Sequence, residues 1–228
     1  MLDQPLLTVI LPAYNEAEVI GEVIAEIRSV MTCRIIVIDD GSKDATSACA
    51  REHGVSVIRH LLNRGAGAAC MTGIGLARKM NWQRIAFLDA DGQHVAADLL
   101  VLLACMEETG ADLVIGSRFM NGGNTIPRIR RFFNSVANLL TNTFCKNSYS
   151  DTQSGFRLLN RHAIESIDLH QDDFSYCSEM IVQAEQLDLK IEECPISVRY
   201  TAYSMSKGQD FQVGVMTAFH FLWKLIFK

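Results

Sequence analysis

The sequence predicts an α/β fold built on a mostly parallel central sheet. Short β-branched runs alternate with helical patterns from residue 7 to residue 118, which is typical of successive β-α-β units. Polar or acidic residues follow most of these runs, as they do where parallel strands end at a ligand site. A chain of 228 residues with 49% hydrophobic content is long enough for one well-filled domain. We therefore expect one Rossmann-like domain over residues 1–208, followed by a C-terminal amphipathic helix over 209–228.

The individual elements are predicted from periodicity along the chain. Strands are expected at 7–11, 34–38, 55–59, 84–88, 112–116 and near 191–200, and helices at 15–30, 45–52, 66–79, 129–143 and 175–187. The first helix is predicted to use Asn15 as its N-cap, because Glu18 three residues later completes a capping-box pattern before an apolar stripe. The third helix is rich in Gly and Ala, which allow close approach to the sheet or to a ligand.

Composition excludes several classes of protein. A net charge of −5 without concentrated Lys and Arg argues against general nucleic-acid binding. The seven cysteines are odd in number and form no C-x-x-C pair, which fits neither a disulfide framework nor a zinc site. The N-terminus shows none of the features of a secretion signal. We expect a cytoplasmic protein, placed at the inner face of the membrane if its C-terminal segment binds lipid.

The C-terminal segment is strongly apolar. No run in the chain is long and apolar enough for a spanning helix, which needs about 18 such residues. Bulky apolar residues nevertheless dominate 211–228, interrupted by His220 and Lys224. Three interpretations stay open: a helix packed on the core, an interfacial helix on a membrane surface, or a contact in a homodimer.

Three strand ends carry polar clusters, and the cluster after the fourth strand has the most specific chemistry. The clusters are Pro12 to Glu16, Asp39 to Ser42, and Asp89 to His94. Carboxylates at Asp89 and Asp91, with the amide oxygen of Gln93, are hard oxygen ligands for Mg²⁺ or Mn²⁺ that would bridge a diphosphate. The alternative is that the two carboxylates only cap the helix starting near residue 97. Asp-x-Asp by itself does not decide between them.

Six segments together carry a resemblance to a known family. In order they are TVILPAYNEAEVI, IIVIDDGSKDAT, NRGAGAACMTG, FLDADGQH, IGSRF and SGFR. They resemble the family-two glycosyltransferases, above all the dolichyl- and polyprenyl-phosphate mannosyl- and glucosyltransferases, over roughly residues 7–207. The resemblance implies a GT-A fold, a nucleotide-sugar donor, a divalent cation and a polyprenyl phosphate acceptor.

The resemblance implies roles for residues on the donor side. The positions matched to nucleotide or diphosphate binding are Pro12, Tyr14, Glu16, Asp39, Asp89, Ala90 and Lys207, and those matched to the metal are Asp89, Asp91 and Gln93. Asp39 matches the residue that contacts the base, and Asp40 is expected to support its loop. Gly65 and Gly67 match a loop near the nucleotide, with ordinary close packing as the alternative. His94 is expected to be structural.

The loop 200–209 resembles the family's flexible segment that closes over the donor and ends in Ser-Lys. Tyr203 and Ser204 stand where the mannosyltransferases commonly carry Arg before Gly, which weakens a mannosyl assignment. Arg199 or Lys207 can supply the missing positive charge.

On the acceptor side, Arg118 directly follows a strand, where a guanidinium can grip a phosphate with two hydrogen bonds or form a surface salt bridge. In the family an Arg and a Ser of the next segment approach the acceptor phosphate. Arg131 and Ser135 are four residues apart and share a helix face. The run 151–157 matches the acceptor-side motif, with a β-turn as the alternative. Glu179 matches an acidic position or is a surface residue.

These residues suggest an inverting transfer with Asp91, Arg118, Arg131 and Ser135 as the catalytic set. A phosphate acceptor is already anionic and needs no general base, whereas a saccharide hydroxyl would need one at Asp151 or Asp40. Transfer to a hydroxyl in cell-surface polysaccharide synthesis is therefore the nearest alternative. A sugar-phosphate nucleotidyltransferase and a non-catalytic nucleotide-sugar sensor are the others.

Overall fold

The computed structural model describes residues 7–120, 128–199 and Tyr203. The predicted helix over 209–228 and the predicted donor ligand Lys207 lie outside these residues. The strands are β1 Thr8–Ala13, β2 Arg34–Asp39, β3 Ser56–Arg59, β4 Arg84–Phe87, β5 Leu113–Ser117, β6 Arg157–Asn160 and β7 Ile191–Pro195. The helices are α1 Ile20–Val30, α2 Thr46–Glu52, α3 Ala66–Lys79, α4 Asp98–Thr109, α5 Arg128–Asn142, α6 Arg161–Ser166 and α7 Tyr176–Gln186.

The strands form one mixed sheet in the order β3-β2-β1-β4-β6-β5-β7. Only β6 is antiparallel to its neighbours in this sheet, pairing with β4 on one side and β5 on the other. The predicted α/β class with a mostly parallel sheet is therefore confirmed. From β1 the chain order runs outward in both directions, to β2 on one side and β4 on the other. Such a switch point opens a crevice at the carboxyl ends of the strands.

Two apolar layers cover the sheet. On one face, α1 and α4 bury residues such as Ile24 and Leu102, and on the other face α3, α6 and α7 bury residues such as Ile74 and Met180. Burial of each such side chain contributes roughly 1.5–3 kcal/mol relative to exposure. The two layers hold the strand ends rigidly, which positions the loops that follow them.

The N-cap prediction for the first helix is wrong. The helix begins at Ile20, and Val19 precedes it without a side-chain cap. Asn15 instead has a positive φ of 56°, a conformation that Asn tolerates better than most residues. Its Oδ1 accepts a hydrogen bond of 2.7 Å from the Lys43 amide. Asn15 therefore stabilises the loop after β2 instead of capping α1, which is the role that the local sequence predicts for it.

The sequence also misses β6 and α6, and it extends β7 too far. Strand β6 is a four-residue run buried on both faces, so it lacks the alternation by which strands are recognised. Strand β7 ends at Pro195, and Val198 lies beyond it in an isolated bridge to His94. The other predicted helices agree with the structure to within one residue at each end.

Helix α3 offers a matched pair of glycines for a test of packing. A Cβ at Gly67 would lie 2.0 Å from the backbone oxygen of Gln171, whereas a Cβ at Gly75 would meet nothing within 4 Å. We expect Gly67→Ala to lower the free energy of unfolding by about 1–3 kcal/mol through overpacking. Gly75→Ala should raise it by about 0.5–1 kcal/mol, because Ala favours the helix. Urea unfolding of both variants measures the difference, and equal effects would contradict this packing.

Candidate active site

The acidic pair lies in the turn after β4, at the switch point of the sheet. Asp91 is held by Gln93, whose backbone amide donates to Oδ1 at 3.0 Å and whose side-chain amide donates to Oδ2 at 2.5 Å. Asp89 Oδ2 lies 3.1 Å from Nε2 of His94. The His94 side chain is 4% exposed and its ring packs against Phe156. His94 thus orients Asp89 from the protein interior, as its predicted structural role requires.

The two carboxyl groups differ in their electrostatics. Burial and the neighbouring Asp89 charge raise the pKa of Asp91, and hydrogen bonds from Gln93 offset this only in part. For Asp89, burial acts to raise the pKa, but the side chain is 45% exposed and its loss of hydration is incomplete. The hydrogen bond and charge of His94, with the charges of Arg118 and Arg157, bring the pKa of Asp89 below its usual value. Two carboxylates that repel each other in one turn would be stabilised by a bound cation.

The donor set fits a divalent cation that shares its ligands with a substrate. Among residues 7–120 and 128–199, no cluster of three or more His, Cys, Asp or Glu side chains can hold a metal ion. Mg²⁺ is commonly bound by one or two carboxylates plus substrate phosphates rather than by a closed protein cage. Asp89 and Asp91 supply that number of carboxylates, and the predicted oxygen ligands therefore lie together.

On the donor side, the predicted pocket residues Pro12 and Tyr14 are partly exposed, whereas Glu16 and Asp39 are buried. Pro12 is half-buried and Tyr14 is 36% exposed, at the end of β1. Glu16 is mostly buried, and its amide donates to Thr46 Oγ1 at 2.8 Å. Asp39 is fully buried, accepting from the Ser42 amide at 2.8 Å and from the Ser47 hydroxyl. In this conformation Asp39 holds the loop after β2.

Asp40 supports the loop after β3, whereas the sequence predicts support of its own loop after β2. Its carboxylate accepts from the amides of Arg64 and Gly65 and lies 2.6 Å from Nδ1 of His60. Gly65 has a φ of 115°, and a Cβ there would lie 2.3 Å from the Asp172 carbonyl oxygen. Together with the equally tight contact at Gly67, this geometry explains both glycines by close packing against the loop 171–173.

The segment that ends at Arg199 is fastened to the acidic turn. The Arg199 amide donates to the Gln93 carbonyl at 2.8 Å. Its guanidinium makes two hydrogen bonds, of 2.9 and 3.0 Å, to Glu26 on α1, which also accepts from the Ala96 amide. Arg199 is thus paired with a carboxylate on α1, which leaves Lys207 as the other predicted source of positive charge.

Tyr203 contacts the donor side directly, which sequence reasoning did not predict. Its hydroxyl donates to Glu16 Oε2 at 2.8 Å, with the Asn15 carbonyl oxygen 3.2 Å away. Burial and the Glu16 carboxylate raise the pKa of Tyr203. The position where the mannosyltransferases commonly carry a charged residue is therefore occupied here by a neutral hydrogen-bond donor.

On the acceptor side, Arg118 forms a two-pronged ion pair with Asp151. Nε and Nη2 of Arg118 each lie 2.7 Å from an oxygen of Asp151, and the Arg118 amide donates to the same carboxylate at 2.9 Å. The Asp151 side chain is fully buried. Both of its oxygens are therefore occupied, and its charge is compensated, so Asp151 is badly placed to accept a proton from a substrate.

Helix α5 brings Arg131 and Ser135 to the same region. Both side chains are exposed, and Ser135 Oγ donates to the Arg131 carbonyl at 2.8 Å. Asn138, on the same helix face, donates to the Ser150 carbonyl and accepts from the Thr152 amide. This face therefore continues toward the segment that holds Arg118. In the described part of the chain, no hydrogen bond or salt bridge joins Arg131 or Ser135 to the acidic pair.

Two further predicted acceptor-side features are structural. The run 151–157 contains a turn in which the Ser154 amide donates to the Asp151 carbonyl, followed by β6. Glu179 is 5% exposed and accepts from the amides of His170 and Gln171. It is therefore neither a surface residue nor open to a substrate, and it holds the loop that packs on α3.

Comparison with known protein families agrees with this geometry. The model of the family described as glycosyl transferase family 2 matches residues 8–168. The chain is 30% identical to a UDP-N-acetylglucosamine–dolichyl-phosphate N-acetylglucosaminyltransferase of Methanococcus voltae, over 92% of each chain. It is also 30% identical to a polyprenol monophosphomannose synthase of Mycolicibacterium smegmatis, over 87% of this chain and 79% of the relative.

Solved structures share the fold. Glucosyl-3-phosphoglycerate synthase from Mycobacterium tuberculosis, crystallised with Mn²⁺, uridine diphosphate and phosphoglyceric acid, superimposes with a TM-score of 0.67. The similarity covers 96% of this chain and 78% of that one at 19% identity, which establishes a common GT-A architecture. No helix in the described ranges is long and apolar enough to cross a membrane.

The raised pKa of Asp91 predicts a gain in stability when its charge is removed. A folded-state pKa above the unfolded value means that ionised Asp91 costs stability above that pKa, and the cost vanishes as pH falls through it. Asp91→Asn should therefore modestly raise the melting temperature of metal-free protein at pH 7. It should also reduce the stability gained on moderate acidification.

Asp112 provides the control of opposite sign. Burial acts to raise its pKa, but hydrogen bonds from the Lys190 amide, Asn160 and His162 lower it overall. Asp112→Asn should therefore lower the melting temperature under the same conditions. Calorimetry compares the two variants between pH 5 and 8, the range in which proteins are roughly most stable. A lower melting temperature for Asp91→Asn would contradict the raised pKa of Asp91, because removal of a destabilising charge should raise the melting temperature.

Proposed function

This chain belongs to glycosyl transferase family 2, and from this premise we propose that it is an inverting hexosyltransferase acting on a polyprenyl or dolichyl phosphate. The donor would be a nucleotide sugar, and Mg²⁺ or Mn²⁺ would assist. The observation that carries the proposal is the state of the carboxylates on the acceptor side. Those that could serve as a general base are already hydrogen-bonded within the protein.

A hydroxyl acceptor would need one of these carboxylates. Asp151 is fully buried and bound on both oxygens by Arg118. Asp40 accepts from two backbone amides and contacts His60. Glu179 caps a loop. A phosphate monoester carries its own negative charge, so it needs cationic and hydroxyl groups rather than a base. Arg118, Arg131 and Ser135 supply groups of that kind.

Each half of the proposed site has a defined task. A cation held by Asp89, Asp91 and Gln93 would supply charge compensation for the departing nucleoside diphosphate. Gln93 holds the Asp91 carboxylate toward that position, and His94 does the same for Asp89. Arg118, fixed by Asp151, and Arg131 would align the acceptor phosphate on the opposite side of the sugar. Ser135 would add a hydroxyl donor.

The names of the relatives support a lipid phosphate acceptor but differ in the sugar. The Methanococcus voltae relative is named for N-acetylglucosamine and dolichyl phosphate, and the mycobacterial relative for mannose and polyprenol. Tyr203 in place of a cation disfavours a mannosyl donor that depends on that charge. We also propose that the segment 209–228 lies on the membrane surface, which would keep the enzyme beside its acceptor.

The direct test is release of nucleoside diphosphate from a panel of UDP- and GDP-sugars. We expect release that requires Mn²⁺ or Mg²⁺ and is stimulated by a short polyprenyl phosphate. It should fall by about a hundredfold or more in Asp91→Ala. Stimulation by an oligosaccharide instead would favour the hydroxyl acceptor. Pyrophosphate formation from a nucleoside triphosphate and a sugar phosphate would indicate a nucleotidyltransferase, and donor binding without turnover would indicate a sensor.

Arg131 can be tested separately from the donor half of the site. Arg131→Ala should raise the KM for polyprenyl phosphate by about tenfold or more, the value of a charge-assisted hydrogen bond, and leave the KM for the nucleotide sugar unchanged. Arg51, in the last turn of α2 and exposed, gives a charge-matched control, and Arg51→Ala should change neither constant. Equal effects of Arg131→Ala and Arg51→Ala on the KM for polyprenyl phosphate would show that Arg131 does not bind the acceptor phosphate.

A further inference from the structure

Within the part of the chain that the structure describes, Arg157 is a buried cation that donates hydrogen bonds to neutral carbonyl groups. Its side chain is fully buried at the start of β6. Nε donates to the Ser154 carbonyl at 2.9 Å and Nη2 to the Thr152 carbonyl at 2.8 Å. Nη1 has no hydrogen-bond partner in the described part of the chain, where Arg157 also forms no salt bridge. A buried cation without a paired anion costs several kcal/mol unless a compensating charge lies near.

The position of Arg157 places it between the two halves of the site. In the sheet register it is opposite Phe87 of β4 on one side and Ile115 of β5 on the other. Strand β4 leads into the acidic pair, and β5 leads into Arg118. The turn that Arg157 braces contains Gly155, where a Cβ would lie only 2.6 Å from Asp89 Oδ1. The braced turn is therefore in contact with one carboxylate of the pair.

The charge of Arg157 also acts on that carboxylate. Burial has the largest effect and acts to raise the pKa of Asp89. The hydrogen bond and charge of His94 and the charge of Arg118 lower it, and the charge of Arg157 adds a smaller lowering. Three buried groups, Cys70, Tyr176 and Cys177, feel both the Asp89 and the Arg157 charge. The guanidinium carbon of Arg157 lies 6.0 Å from the centroid of the Tyr176 ring. The two opposite charges therefore both act on one buried cluster, and the Asp89 side chain is 45% exposed whereas Arg157 is fully buried.

We propose that Arg157 is a positioning residue that limits how tightly the acidic pair holds a divalent cation. The inference rests on the metal site of the proposed function. Arg157 braces the turn that packs against Asp89, and its positive charge opposes that of the incoming cation. The pair then binds the cation weakly alone and firmly only when a nucleoside diphosphate adds its negative charge and oxygen ligands. Cation and diphosphate would thus enter and leave the site together.

The test separates the charge of Arg157 from its hydrogen bonds. Arg157→Gln keeps an amide donor without the charge, and Arg157→Lys keeps the charge without the planar fork. Electron paramagnetic resonance of free Mn²⁺ gives the dissociation constant of each protein, first with Mn²⁺ alone and then with UDP or GDP added. We expect Arg157→Gln to bind Mn²⁺ alone about threefold or more tightly than wild type, and Arg157→Lys to resemble wild type.

Arg34 supplies a matched control on β2, three strands away from β6 in the sheet. It begins β2, its guanidinium carbon lies 5.1 Å from the Trp82 ring centroid, and its Nη1 also lacks a partner within the described ranges. Arg34→Gln should leave Mn²⁺ binding unchanged. Unchanged or weaker binding by Arg157→Gln would overturn the inference, because a merely structural arginine would lower affinity when removed. If wild type binds no Mn²⁺ with or without nucleotide, the metal site of the proposed function fails first.

A thermal double-mutant cycle covers the case in which Arg157→Gln folds poorly. In metal-free protein, Asp89→Asn should lower the melting temperature by leaving Arg157 uncompensated. The double variant with Asp89→Asn and Arg157→Gln should then lose less in melting temperature than the sum of the losses in the two single variants. If Arg157→Gln alone folds poorly, adding Asp89→Asn should restore folding. The same cycle with Asp91→Asn should be additive. Additivity between positions 89 and 157 would overturn the inference.

Discussion

The antiparallel pairing of β6 between β4 and β5 is the constraint on which the rest of the site depends. Its backbone bonds to both neighbours set the separation of the two strand ends that carry the acidic pair and Arg118. The segment leading into β6 supplies Asp151 for Arg118 and Gly155 against Asp89. A shift in this one strand would therefore move the acidic pair and Arg118, and with them both halves of the proposed site.

Carboxylates near the crevice fall into two classes with different physical roles. Asp39, Asp40, Asp151 and Glu179 are buried and accept hydrogen bonds from loop amides or from a paired cation, so their charge stabilises the loops. Asp89 and Asp91 lie in one turn, and burial together with mutual repulsion raises the pKa of Asp91. The second class keeps negative charge at the crevice, because Asp91 is destabilised by its neighbour and the side chain of Asp89 is 45% exposed beside His94. This difference separates the four supporting carboxylates from the two proposed metal ligands, although all six residues follow or flank conspicuous motifs.

The same contrast supports the phosphate acceptor that we propose for this site. Inversion requires a nucleophile that faces the leaving diphosphate across the sugar, and a hydroxyl would need a carboxylate able to take its proton. The acceptor-side carboxylates here serve structure instead. Arg118, held by Asp151, and α5, held by Asn138, present cationic and hydroxyl groups from a rigid frame. Such preorganised groups favour an acceptor that arrives already charged.

The sequence by itself determined the α/β class, most of the element boundaries and the polar strand ends, because periodicity and strand-end chemistry are local properties. It identified Asp89, Asp91 and Gln93 as neighbours, since their spacing is fixed by covalent connection. Tertiary structure alone decided that Asn15 serves a loop rather than a helix, that Asp151 is saturated by Arg118, and that Tyr203 meets Glu16. Each of these depends on a partner far along the chain, and hydrogen-bond satisfaction in a buried site is settled only when those partners are brought together.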